Sequence, residues 1–235
     1  MALAMPFLAI GFFRPLSHVI ASASVNISTI ATLAGCGVIV GLAYLFVQRF
    51  DLWLMNFLTT LEHELTHAIS GLPFGIIPVG IAATGRRGGF TPGIGVLGPL
   101  SAMGAPFSAL APYFFPTLSG AAILLIWYFD KLSSGWVAPL IGCTLGYDTF
   151  SNVAETIECL WHDGGVHPLS GTEGNDLTFV GALPSLVIIP VLSVICYGAV
   201  LSFVFGRTEG VLPYFSNGLQ GILEAAQWTL RWMQS

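Results

Sequence analysis

Six apolar runs follow one another along this chain with little charge to interrupt them: roughly residues 28–48, 52–72, 97–115, 117–133, 136–160 and 179–205. A helix needs about 20 apolar residues to cross the hydrocarbon core of a bilayer, and each run meets or approaches that length. Charged residues make up 8% of the chain, against about 25% in an average soluble domain, and the mean hydropathy is +0.81. The pattern predicts an all-α polytopic membrane protein: a single integral-membrane domain over 1–235 with about six transmembrane helices. An amphipathic tail at 211–235, carrying Trp228, Arg231 and Trp232, suits the membrane surface. The net charge of −5 leaves no basic patch to hold nucleic acid. Cys36, Cys143, Cys159 and Cys196 are scattered through apolar segments and read as small core residues, with no disulfide expected. At the N-terminus the apolar stretch Met1–Phe13 precedes Arg14, the reverse of a secretory signal, so an uncleaved interfacial or short buried segment is expected.

The second run carries Leu61-Glu62-His63-Glu64-Leu65-Thr66-His67, an H-E-x-x-H match. On a helix, residues four apart share a face, so both imidazoles can reach one zinc ion while Glu64 reaches a water beside it. Zinc makes such a water nucleophilic near neutral pH, and a carboxylate there can take its proton. A buried helix whose polar groups merely pair with neighbours is the plainer reading. Energy argues against it. An Asp, Lys or Arg at the centre of a spanning helix costs roughly 2.5–3.5 kcal/mol on insertion scales, and ionisable groups at membrane depth mark function by default. The segment 62–67 carries four of them: Glu62, His63, Glu64 and His67.

Residues 73–96 change character. Phe74 to Thr84 is β-branched and punctuated by glycine, Gly85-Arg86-Arg87-Gly88-Gly89 is a turn, and Phe90-Thr91-Pro92-Gly93-Ile94 follows. The composition predicts a β-hairpin or re-entrant segment after the metal-motif helix. Two placements are open. It is either a plain extramembrane loop or an irregular segment lining a cavity beside the metal. In the second case a bound peptide adds as a strand to its edge, with Gly88 and Gly89 as substrate contacts.

A catalytic zinc site needs a third protein ligand and an open position. Asp148 is the choice, because an unpaired carboxylate in the spanning run 136–160 is costly and a metal would offset that cost. Asp176, in the loop after Trp161, is the alternative. Glu155 lies about 10.5 Å from Asp148 by helix rise, too far to bind the same ion. Asp148, Asn152 and Glu155 share one helix face. Asn152 can donate a hydrogen bond to substrate backbone or a developing oxyanion, or else pair with another helix. His18, His162 and His167 read as solvated or headgroup residues.

The run bearing His63-Glu64-Leu65-Thr66-His67-Ala68, the Gly-rich segment after it and a later spanning run bearing an Asp resemble the site-2 protease family of intramembrane zinc metalloproteases. Gly142-Cys143-Thr144-Leu145-Gly146-Tyr147-Asp148, with Gly174-Asn175-Asp176 downstream, is similar to its compact, site-2-protease-like branch. The resemblance covers roughly residues 52–180. It implies that His63 and His67 ligate one zinc ion (Zn2+) per chain, that Glu64 is the catalytic base, and that a membrane-protein segment is unwound and cut within the lipid bilayer. The better-known branch carries its Asp in a Leu-Asp-Gly context, where this chain has Gly-Tyr-Asp148-Thr-Phe. The length leaves no room for an inserted PDZ-like domain. Two other readings compete with the zinc endopeptidase: a metal-binding transporter or channel, in which Glu62, Glu155 and Glu158 form a relay, and a catalytically silent membrane scaffold.

Overall fold

The computed structural model describes residues 11, 12, 15, 17, 27–85, 89–129, 134–161, 180 and 182–233. It is mostly helical. Six helices are described: α1 (Ile27–Gln48), α2 (Trp53–Gly71), α3 (Pro99–Leu110), α4 (Thr117–Phe129), α5 (Ser134–Trp161) and α6 (Ala182–Met233). Four short strands lie between α2 and α3: β1 (Ile76–Pro78), β2 (Ala82–Ala83), β3 (Gly89–Phe90) and β4 (Gly93–Gly95). Helices α1 and the Pro184–Phe205 part of α6 are long and apolar enough to cross a membrane, and a third candidate arises if Pro99–Tyr113 and Thr117–Phe129 count as one broken span. The chain is a membrane protein.

Several boundaries differ from the sequence expectation. The run 97–115 is a helix only over Pro99–Leu110, followed by a 3-10 turn at Ala111–Tyr113. Pro112 removes an N–H that an α-helix would use, and the last turn tightens accordingly. The spans 179–205 and 211–235 are not separated by a non-helical linker, because helical backbone runs from Ala182 to Met233. The chain nevertheless reverses within it. The Tyr214 hydroxyl donates to the Val194 carbonyl at 3.0 Å, whereas twenty residues of straight helix would hold them roughly 30 Å apart. A side chain at Gly210 would collide with the Ser202 carbonyl, so the turn lies between those residues and needs glycine there.

The chain divides into two compact units whose segments interleave. The first comprises residues 1–38, 118–146 and 187–235. Its core is a cluster of Ala122, Ile126, Val137, Ile141, Val200 and Phe203. Backbones approach closely where α1 meets α5: a side chain at Gly142 would lie 2.6 Å from the Leu33 carbonyl, and one at Gly146 would overlap the Gly37 carbonyl. Small residues allow this approach, and packing rather than a hydrophobic drive holds helices together in lipid. Near the N-terminus Phe12 is buried and its ring packs against Tyr214 and Phe215 at 5.4 and 5.9 Å. Most of the stretch expected to be an interfacial or short buried segment lies outside the described residues. The ring contacts show that the 211–235 tail begins packed against the fold rather than lying wholly at a surface.

The second unit comprises residues 39–117 and 147–186 and holds the H-E-x-x-H helix. Arg49 to Asp51 form the tight turn into α2, with Asp51 in left-handed backbone (φ 46°) and its carboxylate accepting a 2.6 Å bond from Asn56 Nδ2. Helix α2 is inside out. Asn56, Thr59, Thr60, Glu64, Thr66 and Ser70 are buried, while Leu54, Leu58, Leu61, Leu65 and Ile69 recur every three or four residues on the exposed side. Water would favour the opposite arrangement, whereas a lipid environment favours this one. Gly71 and Pro73 end the helix, and Gly75 at φ 68° turns the chain into β1. The expected hairpin forms as two antiparallel ladders: Ile76 to Pro78 pair with Gly95 to Gly93, and Ala82 and Ala83 pair with Phe90 and Gly89. Three residues on the outgoing arm face two on the return, so the ladder shifts register by one residue as at a bulge.

Candidate metal centre

His63 and His67 stand one turn apart on α2, with ring centroids 4.8 Å apart and an interplanar angle of 77°. Each is held through Nδ1. His63 Nδ1 lies 2.8 Å from Glu155 Oε2, with both side chains mostly buried. His67 Nδ1 lies 2.8 Å from the Ser108 carbonyl. A carbonyl only accepts, so His67 Nδ1 carries a proton, and in the neutral ring Nε2 keeps the lone pair. An ionised Glu155 imposes the same tautomer on His63. A metal-ligating histidine usually carries this kind of support on its other nitrogen.

The sequence explains why the Ser108 carbonyl reaches His67. Its regular helical donor four residues on would be Pro112, which has no N–H. The carbonyl instead takes the Ala111 N–H and retains an acceptor direction for the imidazole. Ser108 grips the same residue a second time, donating its hydroxyl to the His67 carbonyl at 3.0 Å. Tyr113 packs edge-on against the His63 ring at 5.8 Å.

Glu64 is buried beside this pair. The hairpin covers it so closely that a side chain at Gly89 would overlap Glu64 Oε1. Thr91 Oγ1 donates to the Glu64 carbonyl at 3.1 Å and ties the return arm to α2. Gly89 therefore touches the expected base, while Gly88 lies outside the described residues. Thr66, on the opposite side of α2, is fully buried and bonds the Glu62 carbonyl and the Thr117 hydroxyl.

Helix α5 supplies the remaining groups. Asp148 is 1% exposed and Asn152 6%, so both expected polar residues face inward. Tyr147 lies edge-on to Tyr44 at 5.2 Å, with its hydroxyl 3.4 Å from Thr59 Oγ1. Phe150 packs where a side chain at Gly41 would stand, which fixes α5 against the second half of α1. Glu62 lies near enough to Glu155, Asp148 and His63 to feel their charges, so the three carboxylates and the imidazole share one neighbourhood.

Do these residues fit zinc? With Zn–N bonds near 2.0–2.1 Å and tetrahedral angles, two ligating imidazoles hold their centroids roughly 5 Å apart. The observed 4.8 Å and the Nδ1 hydrogen bonds suit that requirement. Among the described residues, no three His, Cys, Asp or Glu side chains are gathered closely enough to hold an ion together. The structure thus brings the two histidines together, with Glu64 beside them, and leaves Asp148 buried in the same unit. Asp176, His162 and His167 lie outside the described residues, as does His18. Sequence reasoning missed Glu155 and Ser108 as the groups that hold the two rings. Glu155 had a signal in its place on the Asp148 face, and Ser108 had one in the proline four residues on. Comparisons with family models, curated proteins and solved structures return no match.

Proposed function

We propose that this chain is a zinc-dependent intramembrane endopeptidase of the site-2 protease type, acting on membrane-protein or membrane-attached peptide segments. The observation that carries the reading is the pair His63 and His67, each with Nδ1 engaged and with Glu64 buried next to them. In this reading His63 and His67 hold zinc, and Asp148 or Asp176 completes the ligand set. Zinc, when bound, polarises a carbonyl and makes water more acidic. Glu64 takes the proton of the attacking water and returns it to the leaving amine. Asn152 donates to the substrate backbone, and Gly88 and Gly89 lie against an extended peptide at the hairpin edge. The inside-out α2 supports a sixfold-spanning arrangement in which α2 and α5 also cross the bilayer, because its leucine stripe then faces lipid.

A second reading is an ion pathway in which Glu62, Glu155 and Glu158 form a relay, Glu62 and Glu155 being close enough to feel each other's charge. Glu64→Gln separates the two. A protease keeps its zinc and loses peptide cleavage by about 100-fold or more. A channel has no peptide product to lose. Zinc content of Asp148→Ala beside Asp176→Ala then assigns the third ligand to the variant that loses it.

A further inference from the structure

We propose that Glu155 is the positioning residue for His63, holding its ring in the tautomer and orientation that present Nε2 to a metal. The inference rests on the metal reading above and adds to it a residue that the H-E-x-x-H pattern does not contain. The 2.8 Å contact joins Glu155 Oε2 to Nδ1, the nitrogen a metal bound through Nε2 would leave for support. The same contact keeps Glu155 from being a ligand itself. A carboxylate oxygen on Nδ1 and an ion on Nε2 lie on opposite sides of one imidazole, about 7 Å apart, given Zn–N near 2.1 Å.

The two histidines are held differently. His67 is served by a backbone carbonyl and a hydroxyl from α3, so its support depends little on residue type beyond Pro112 and Ser108. His63 takes the Glu155 side chain from α5, two turns along from Asp148 on the same face. Helix α5 thereby contributes to the metal site through Glu155 whether the third ligand is Asp148 or Asp176. A carboxylate is the stronger support, since a charge-assisted hydrogen bond is roughly twice as strong as a neutral one. It also raises the basicity of the ring toward a metal.

The test measures zinc affinity by chelator competition on purified full-length protein in detergent: wild type, Glu155→Ala and Glu155→Gln. Histidine 15N spectra of the zinc-free proteins give an independent readout. Loss of the support should weaken zinc binding by about 10- to 100-fold in Glu155→Ala. It should also remove the single Nδ1–H tautomer at His63. Glu155→Gln retains an acceptor oxygen and the side-chain shape, so it should keep that tautomer and lie between the other two in affinity. Equal zinc affinity in wild type and Glu155→Ala would overturn the inference and leave the protease reading standing. Complete loss of zinc in both variants at saturating metal would also overturn it, by making Glu155 a ligand. Wild-type protein that binds no zinc at all would overturn the underlying metal reading instead.

Discussion

The two units of this chain bury opposite kinds of side chain. In one, the interior is Ala122, Ile126, Val137, Ile141, Val200 and Phe203, and helices touch through glycine backbone at Gly37, Gly142 and Gly146. In the other, the H-E-x-x-H helix turns Asn56, Thr59, Thr60, Glu64, Thr66 and Ser70 inward and its leucines outward. Lipid accepts leucine as readily as a protein core does, so apolar burial gains little there, and close contact must supply the cohesion. The first unit obtains it from interlocking small residues. The second obtains it from side-chain hydrogen bonds, which also fix the functional groups. Substitutions in the first unit should therefore change stability without changing chemistry. Many in the second should do the reverse.

Gly89→Ala gives the largest expected effect of that kind. The added methyl overlaps Glu64 Oε1 and must displace that carboxylate. A misplacement of about 1 Å can cost 100-fold in rate. On the proposed protease reading, cleavage of a membrane-anchored reporter should fall by about that factor, with zinc content and melting temperature close to wild type. A drop in melting temperature with cleavage per folded molecule unchanged would contradict the division. Gly146→Ala is the mirror test in the other unit. Its methyl overlaps the Gly37 carbonyl, and overpacking of this kind costs about 1–3 kcal/mol. Thermal unfolding in detergent should show the loss, while zinc per folded chain stays the same. Thr66→Val probes the polar interior away from the base. It removes the bonds to the Glu62 carbonyl and the Thr117 hydroxyl, and leaving a buried partner unpaired costs about 1–3 kcal/mol. Denaturant or heat titration should place it at the lower end of that range, because Thr117 retains a contact to the Phe115 carbonyl at 3.5 Å.

Much of the polar unit was legible from residues alone. His63, Glu64 and His67 stood out because ionisable groups are expensive in an apolar run, and the hairpin stood out because glycine and β-branched residues replace the helical pattern. Their spacing puts Asp148 and Asn152 on one helix face, and both side chains are buried. Helix rise separates Glu155 from Asp148 by about 10.5 Å, so spacing alone keeps it out of the ligand set. Its meeting with His63 is a contact between elements, and no spacing along the chain encodes that. The Ser108 carbonyl was missed for a related reason: a backbone acceptor has no sequence letter, and only Pro112 hints that it is available. The boundary errors have another origin. The 97–115 run reads as one span because its apolar composition continues through Pro112, which ends the regular hydrogen bonding. The reversal near Gly210 keeps helical backbone, so a gap in the pattern was expected where the chain only bends back.

In the proposed site His63 and His67 act as one metal-holding pair. Zinc content per folded chain, measured on purified wild-type protein beside His67→Ala and without chelators at any step, tests that directly. The expected result is about one zinc per wild-type chain, as a mononuclear catalytic site requires, and almost none in His67→Ala. Zinc absent from the wild type, or present equally in both proteins, would contradict it.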